Sequence, residues 1–306
     1  MRAPTFIPIL TAILGIGAGI VGIGISLLLF LASPIAGLFG LLFIGLYIGA
    51  YYLLLRKSPL NPHAGFRWAA LCFIWGGGVS MALITLVGAP ILDLTEKLGI
   101  FAFAASFGGA YPEELIKALG VILIMASFRK LNKPWHGFVT GILVGLGFDT
   151  IENLGYGIVG ANMHPDSDVA GVLQMWGLRT LAGPGLHSVL TGFAGYGIGL
   201  AMCSIAMSNR QRLLHALKWL ALAFSIHFLW NIAWPNLTLQ YASVIILVIV
   251  SYTLFIRLWR RLSKEAAAYR ELPTTPITNL KELNQHWPMP PTTTADSPTI
   301  KIAATS

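Results

Sequence analysis

Charge is what this 306-residue sequence has least of. Asp, Glu, Lys and Arg make up 10% of it, against roughly 25% in an ordinary soluble domain. That deficit excludes a water-soluble globule and marks a chain dissolved in lipid. Cysteine is nearly absent too. Cys72 and Cys203 are the two in the chain, both inside apolar runs and with no CxxC spacing, which excludes a disulfide framework and a thiolate zinc site. No basic domain exists to account for the formal net charge of +8. The basic residues stand at the ends of apolar runs, where membrane topology puts them, so nucleic acid is excluded as a partner. A removable signal peptide is missing as well. The first apolar run, about 6–32, exceeds the roughly 7–15-residue core of a signal peptide and reads as a retained signal anchor. No internal repeat occurs at a fixed period.

What the chain does have is apolar length: 56% of it is hydrophobic, and stretches of the roughly 20 residues that cross a bilayer recur. The spacing predicts about eight spans, near 6–32, 35–55, 68–92, 100–128, 136–160, 178–207, 214–234 and 237–258. Arg2, then Arg56, Lys57 and Arg67, then Arg129, Lys130 and Lys133, then Arg210, Arg212 and Lys218, then Arg257, Arg260, Arg261 and Lys264 fall on alternate connections. Positive residues favour the cytoplasmic side, which predicts both termini inside and a multi-pass protein of the cytoplasmic (plasma) membrane. Arg179 falls on the opposite side and reads as an interfacial anchor, with 161–177 as an outer loop. The expected fold class is an all-α transmembrane bundle. Residues 1–262 form the membrane domain, with a motif-bearing core at about 100–235. Residues 263–306, rich in Pro, Thr and Asn, read as a disordered cytoplasmic tail, with helix continuing toward Glu271.

The polar residues inside the spans carry the functional signal, because a buried ionisable group costs a few kcal/mol and marks function by default. Of the twelve acidic residues, Glu113, Glu114, Asp149 and Glu152 lie within spans; of the seven histidines, His187 and His227 do; and Lys117 is the basic residue at mid-span. Glu113 and Glu114 stand four and three residues before Lys117, the spacing of an ion pair on one helical face, so Lys117 reads as their counter-ion. Asp149 and Asn153, and His227 and Asn231, are each one turn apart. Counted from the outer end at about 1.5 Å per residue, Glu152, His187 and His227 come to one level, with the glutamate pair roughly 6–10 Å deeper, a gap that a kink or tilt could absorb. Pro112 and the Gly183-Pro184-Gly185 stretch could open their helices. So many carboxylates cannot all ionise in a dry bundle, which calls for protonation, water or a metal. Two histidines near carboxylates suit a zinc-type site with an open water position. A neighbouring glutamate could act as general base, and Asn231 could help hold an oxyanion. Phe148 and Tyr156 read as packing. Gly141 with Gly145, and Gly195 with Gly199, have the spacing of close helix contacts.

Four separated motifs, in order, resemble the PrsW family of intramembrane proteases, which shares a superfamily with the CAAX prenyl endopeptidases. Glu113-Glu114-Leu115-Ile116-Lys117 looks like its EExxK motif and Phe148 to Asn153 like its FxxxEN motif. Gly185-Leu186-His187 with Thr191-Gly192 is similar to the histidine-centred third, and His227 to Asn231 to the HxxxD/N fourth. The position of Lys117 and the glutamate at 152 favour PrsW over the CAAX branch. The resemblance implies peptide hydrolysis within the membrane. Glu113, Glu114, His187, His227, Glu152 and Asn231 are the catalytic candidates, and Lys117, Asp149 and Asn153 support them. Glu114, His187 and His227 would be the ligands of a zinc ion, although a glutamate-driven mechanism without metal is open to this superfamily. It further implies a membrane-anchored protein substrate cut on the extracytoplasmic side, such as an anti-sigma factor. Two other classes stay in view: a proton- or ion-coupled transporter using the same buried groups, and a non-catalytic scaffold.

Overall fold

The computed structural model describes residues 6–204 and 207–270. Among them there is no strand; every regular element is helical. One compact unit runs over Met1–Ala266; of a second, from Ala267 onward, the described part is the last turn of the final helix.

The first two helices, α1 (Phe6–Ala32) and α2 (Pro34–Arg56), meet at Ser33, whose side chain caps α2 at the Ala36 amide. A continuous helical rod follows: α3 (Phe66–Ile74), a π-helical stretch (Trp75–Ser80) and α4 (Met81–Lys97). Three glycines, Gly76 to Gly78, occupy the π-helical stretch, and it presses against α6 (Pro134–Met163) so closely that a Cβ at Gly76 would lie 1.9 Å from the Val144 carbonyl oxygen. The stretch expected to cross at 100–128 is broken. A 3-10 turn (Phe101–Phe103) and a second π-helical stretch (Ser106–Ala110) precede α5 (Tyr111–Ser127), which has only 17 residues.

α6 is the axis of the fold, with most of its 30 residues buried. Its glycines let α8 (Leu186–Cys203) approach at backbone distance. A Cβ at Gly141 would meet the Thr191 carbonyl oxygen at 2.1 Å, and one at Gly145 the His187 carbonyl oxygen at 2.3 Å. This is the close packing expected of small residues one turn apart in lipid. The connection expected at 161–177 is largely helix: α6 runs to Met163, and α7 (Asp168–Ala182) follows, capped by Ser167. Two apolar side chains on α7, Val172 and Trp176, pack it onto α2 and α6, with Trp176 stacked on Phe43 at 4.9 Å. Tyr47 and Thr180 share a hydrogen bond of 2.8 Å, and Ser33 Oγ donates to Asp168 at 2.9 Å. Gly183-Pro184-Gly185 then breaks the chain between α7 and α8, with Gly185 in the left-handed region at φ +69°. That is the opened helix the sequence suggests at this position.

α9 (Asn209–Trp230) packs on α8, and α10 (Leu237–Arg270) completes the described chain. The helix thus extends past residue 263, and the rest of the expected tail, 271–306, lies outside the described residues. Among the described residues, six helical segments are long and apolar enough to cross a membrane: Pro34–Arg56, Phe66–Lys97, Pro134–Met163, Asp168–Cys203, Asn209–Trp230 and Leu237–Tyr269. α5 falls short of them because its chain is shortened by the π-helical entry and it carries Glu113, Glu114 and Lys117.

Candidate active site

Four elements converge on one buried cluster, and local chemistry explains how each delivers its residue. Pro112 sits in the first turn of α5, where its missing N–H costs nothing. Glu113 and Glu114 follow in the same turn. The segment before α5 is tied to the end of α9. Ser106 Oγ donates to the Phe228 carbonyl oxygen at 2.7 Å, Asn231 Nδ2 to that of Ala105 at 3.2 Å, and the Ala233 amide to that of Ala102 at 2.9 Å. These bonds bring His227, one turn from the end of α9, against the glutamate pair. On the other side, α6 presents Asp149, and its carboxylate accepts from the His187 and Ser188 amides at 3.2 and 3.0 Å and from Ser188 Oγ at 3.0 Å. Asp149 is therefore the N-terminal cap of α8 supplied from another helix, and it fixes where His187 starts.

Inside the cluster, His227 Nδ1 lies 2.8 Å from Glu114 Oε1, and His187 Nε2 lies 3.0 Å from Glu152 Oε2. An ionised carboxylate only accepts, so these nitrogens carry the hydrogens, and the other ring nitrogens turn lone pairs inward. His187 Nδ1 is 3.7 Å, and His227 Nε2 3.8 Å, from Glu113 Oε2. Lys117, fully buried, donates to Glu114 Oε1 at 2.7 Å and to His187 Nδ1 at 3.0 Å, lies 3.5 Å from Glu113 Oε2, and sits 4.5 Å over the Phe148 ring. The depth offset expected between the glutamates and the histidines is absent. The π-helical entry and the reach of the side chains bring one ligand atom from each of Glu113, Glu114, His187 and His227 within 4.8 Å of one another.

Arg179 is the residue that sequence reasoning placed wrongly. It is no interfacial anchor: from α7 its guanidinium bonds Glu152 and Asn153 and stacks over Tyr156 at 4.1 Å. The available signal was a guanidinium at the mouth of an apolar run, and α7 being helical is what turns it inward. Asn153 is consequently a partner of Arg179. Asn231 stands at the rim, just past α9. Glu113, Asp149, Glu152, Asn153, Tyr156, Arg179, His187, His227 and Asn231 border a cavity of about 770 Å³, and Glu114 and Lys117 do not. Of the glutamate pair, therefore, Glu113 faces the open space and Glu114 lies behind it.

The arrangement fits a divalent cation. Four carboxylates (Glu113, Glu114, Asp149, Glu152) face two fixed cations (Lys117, Arg179), which with neutral histidines leaves two negative charges. Glu113 Oε2 and Glu114 Oε2 are buried without a hydrogen-bond partner, and His227 Nε2 turns a free lone pair toward them, while the lone pair of His187 Nδ1 accepts from Lys117, which an incoming cation would displace.

The family model described as PrsW family intramembrane metalloprotease matches residues 64–257, well over half of the chain. The chain belongs to the PrsW family. All four motifs fall within the matched segment, and so does Arg179. As a PrsW protein it is a multi-pass integral membrane protein and a membrane-embedded peptide hydrolase, and a transport role is not favoured. No curated protein and no solved structure matches the chain.

Proposed function

We propose that this PrsW protein is a zinc-dependent endopeptidase of the plasma membrane that cuts single-span, membrane-anchored regulators on the extracytoplasmic side, an anti-sigma factor being the type case. The observation that carries this is the buried group of Glu113, Glu114, His187 and His227, with one ligand atom of each within 4.8 Å of the others, and with Glu113, His187 and His227 at the wall of the 770 Å³ cavity. Eight crossings with both termini in the cytoplasm accompany the reading. α1 and the stretch from Phe101 to Ser127 join the six longer segments, and the alternation of basic connections supports that count.

Glu114, His187 and His227 would hold the ion, which when bound supplies a water of lowered pKa and a Lewis acid for the scissile carbonyl. The rest belongs to the chain itself. Glu113, the glutamate that borders the cavity, takes the proton from the attacking water and returns it to the departing amine. Glu152 and Glu114 hold His187 Nε2–H and His227 Nδ1–H, which fixes both rings and leaves Nδ1 of His187, now bonded by Lys117, and Nε2 of His227 as the acceptors. Lys117 lowers the local excess of negative charge. Asn231 Nδ2, at the rim, is the donor for the carbonyl oxygen as it gains charge. The apolar walls, with Leu178, Leu181 and Trp230, exclude bulk water and accept a substrate span from the side.

The test uses full-length protein in vesicles with a single-span reporter. The intact chain should release a fragment whose new end maps to the outer edge of the reporter's span. Glu113→Gln should cut it about 10²–10⁴-fold more slowly. Elemental analysis of the purified protein should find zinc, and His187→Ala with His227→Ala should lose it whether or not a substrate has been found. Cleavage unaffected by Glu113→Gln would sink the catalytic assignment.

A further inference from the structure

A second cavity, of about 620 Å³, lies between α2, α3 and α6. Its walls are hydrocarbon and aromatic, with Leu55, Trp68, Phe73, Val139 and Leu143 among them, and its polar rim is Arg56 and Asn61. Arg56, the last residue of α2, is exposed and lies 6.0 Å over the Tyr52 ring. Lys57 and Arg67, also exposed, flank the same connection, and from Lys57 to Arg67 the chain contains no acidic residue. An apolar slot that ends at a basic rim has the chemistry of a lipid with a negative headgroup. A zwitterionic lipid would bring its ammonium to a positive edge. An apolar metabolite would leave the guanidinium unused.

We propose that this cavity is a binding site for an anionic phospholipid, one acyl chain lying between α2, α3 and α6 and the phosphate on Arg56, with Lys57 and Arg67 adding to the field. Tyr51 gives the site a link to the active centre. It lines the lipid cavity, and its hydroxyl oxygen lies 2.1 Å from where Gly185 would carry a Cβ, two residues before His187. A bound chain braces that ring against the start of α8. The proposal stands apart from the proteolytic reading, since its test measures lipid and not cleavage.

The experiment places the full-length protein in phosphatidylcholine nanodiscs doped with phosphatidylglycerol that carries a photoreactive diazirine in its acyl chain. Adducts are then mapped by mass spectrometry. They should concentrate on residues 68–73 and 139–146 and be competed by unlabelled phosphatidylglycerol far better than by phosphatidylcholine. Arg56→Gln, at an exposed position that leaves the fold intact, should reduce them about fivefold, and Lys57→Gln added to it should reduce them about fivefold again. Ala69→Phe, which obstructs the slot, should abolish them in protein that still elutes as a single folded species. Adducts spread evenly over the lipid-facing helices, equal competition by the two lipids, or labelling indifferent to Arg56→Gln would each overturn the proposal.

Discussion

Lys117 holds together more of the site than any other single side chain. Its ammonium touches Glu114 and His187 and neighbours Glu113, with no exposure to solvent. Removing one partner of a buried charge network leaves the others uncompensated, at about 3–5 kcal/mol. Lys117→Met should therefore lower thermal stability in detergent by that order, as read from the unfolding midpoint. Added zinc should restore part of the loss, since it supplies the missing positive charge. No rescue by zinc would mean that the residual charge is balanced by protons instead. Arg179 acts one step further out. Its guanidinium fixes Glu152 and Asn153, and Glu152 fixes His187. An outer partner of a metal-binding histidine typically contributes 10–100-fold in metal affinity or activity, and a lysine cannot reproduce the two-pronged contact. Arg179→Lys should accordingly lower zinc affinity, measured by competition with a chelator, by about 10–100-fold while the unfolding midpoint barely moves. A stability loss with unchanged zinc affinity would reduce Arg179 to a structural tie.

At the scale of elements, the site depends on how closely α6 and α8 approach. Gly141 and Gly145 let the two backbones touch, and the Gly145 contact is with the carbonyl of His187 itself. A branched side chain there has no flexible neighbour to displace, only backbone. Gly145→Val should abolish accumulation of folded protein, checked by size exclusion, whereas Gly155→Ala, where a Cβ meets nothing within 4 Å, should be silent. The same scale explains the second structural surprise. α7 is a helix rather than a loop because Ser167 caps it and Trp176 gives it an aromatic anchor between Phe43 and Tyr47. That docking carries Arg179 over Glu152.

For the whole molecule, the proposed eight crossings would put the α6–α7 connection and the α2–α3 connection on opposite faces. In a Cys203→Ser background, a cysteine at Ser167→Cys should react with a membrane-impermeant maleimide on intact cells, and one at His63→Cys should react only after permeabilisation. Labelling of both from outside would require fewer or differently paired crossings.

The sequence by itself determined the solvent of this protein, its helical class and which ionisable groups lie inside its apolar runs. Apolar length and scarce charge leave no other solvent, and ionisable residues inside apolar runs cannot hide. It also marked where helices could open, at Pro112 and at 183–185, because proline and left-handed glycine act through the local backbone. Depth and partnership were decided only by tertiary structure. Counting residues along a straight helix set Glu113 and Glu114 below the histidines, and the π-helical entry at Ser106–Ala110 together with side-chain reach removed that gap. Which glutamate faces the cavity, which carboxylate caps α8 and why an arginine at an expected membrane edge belongs to the site are all contacts between residues dozens of positions apart. Helical periodicity fixes the face a side chain lies on, but the neighbour across that face is set by how the helices pack.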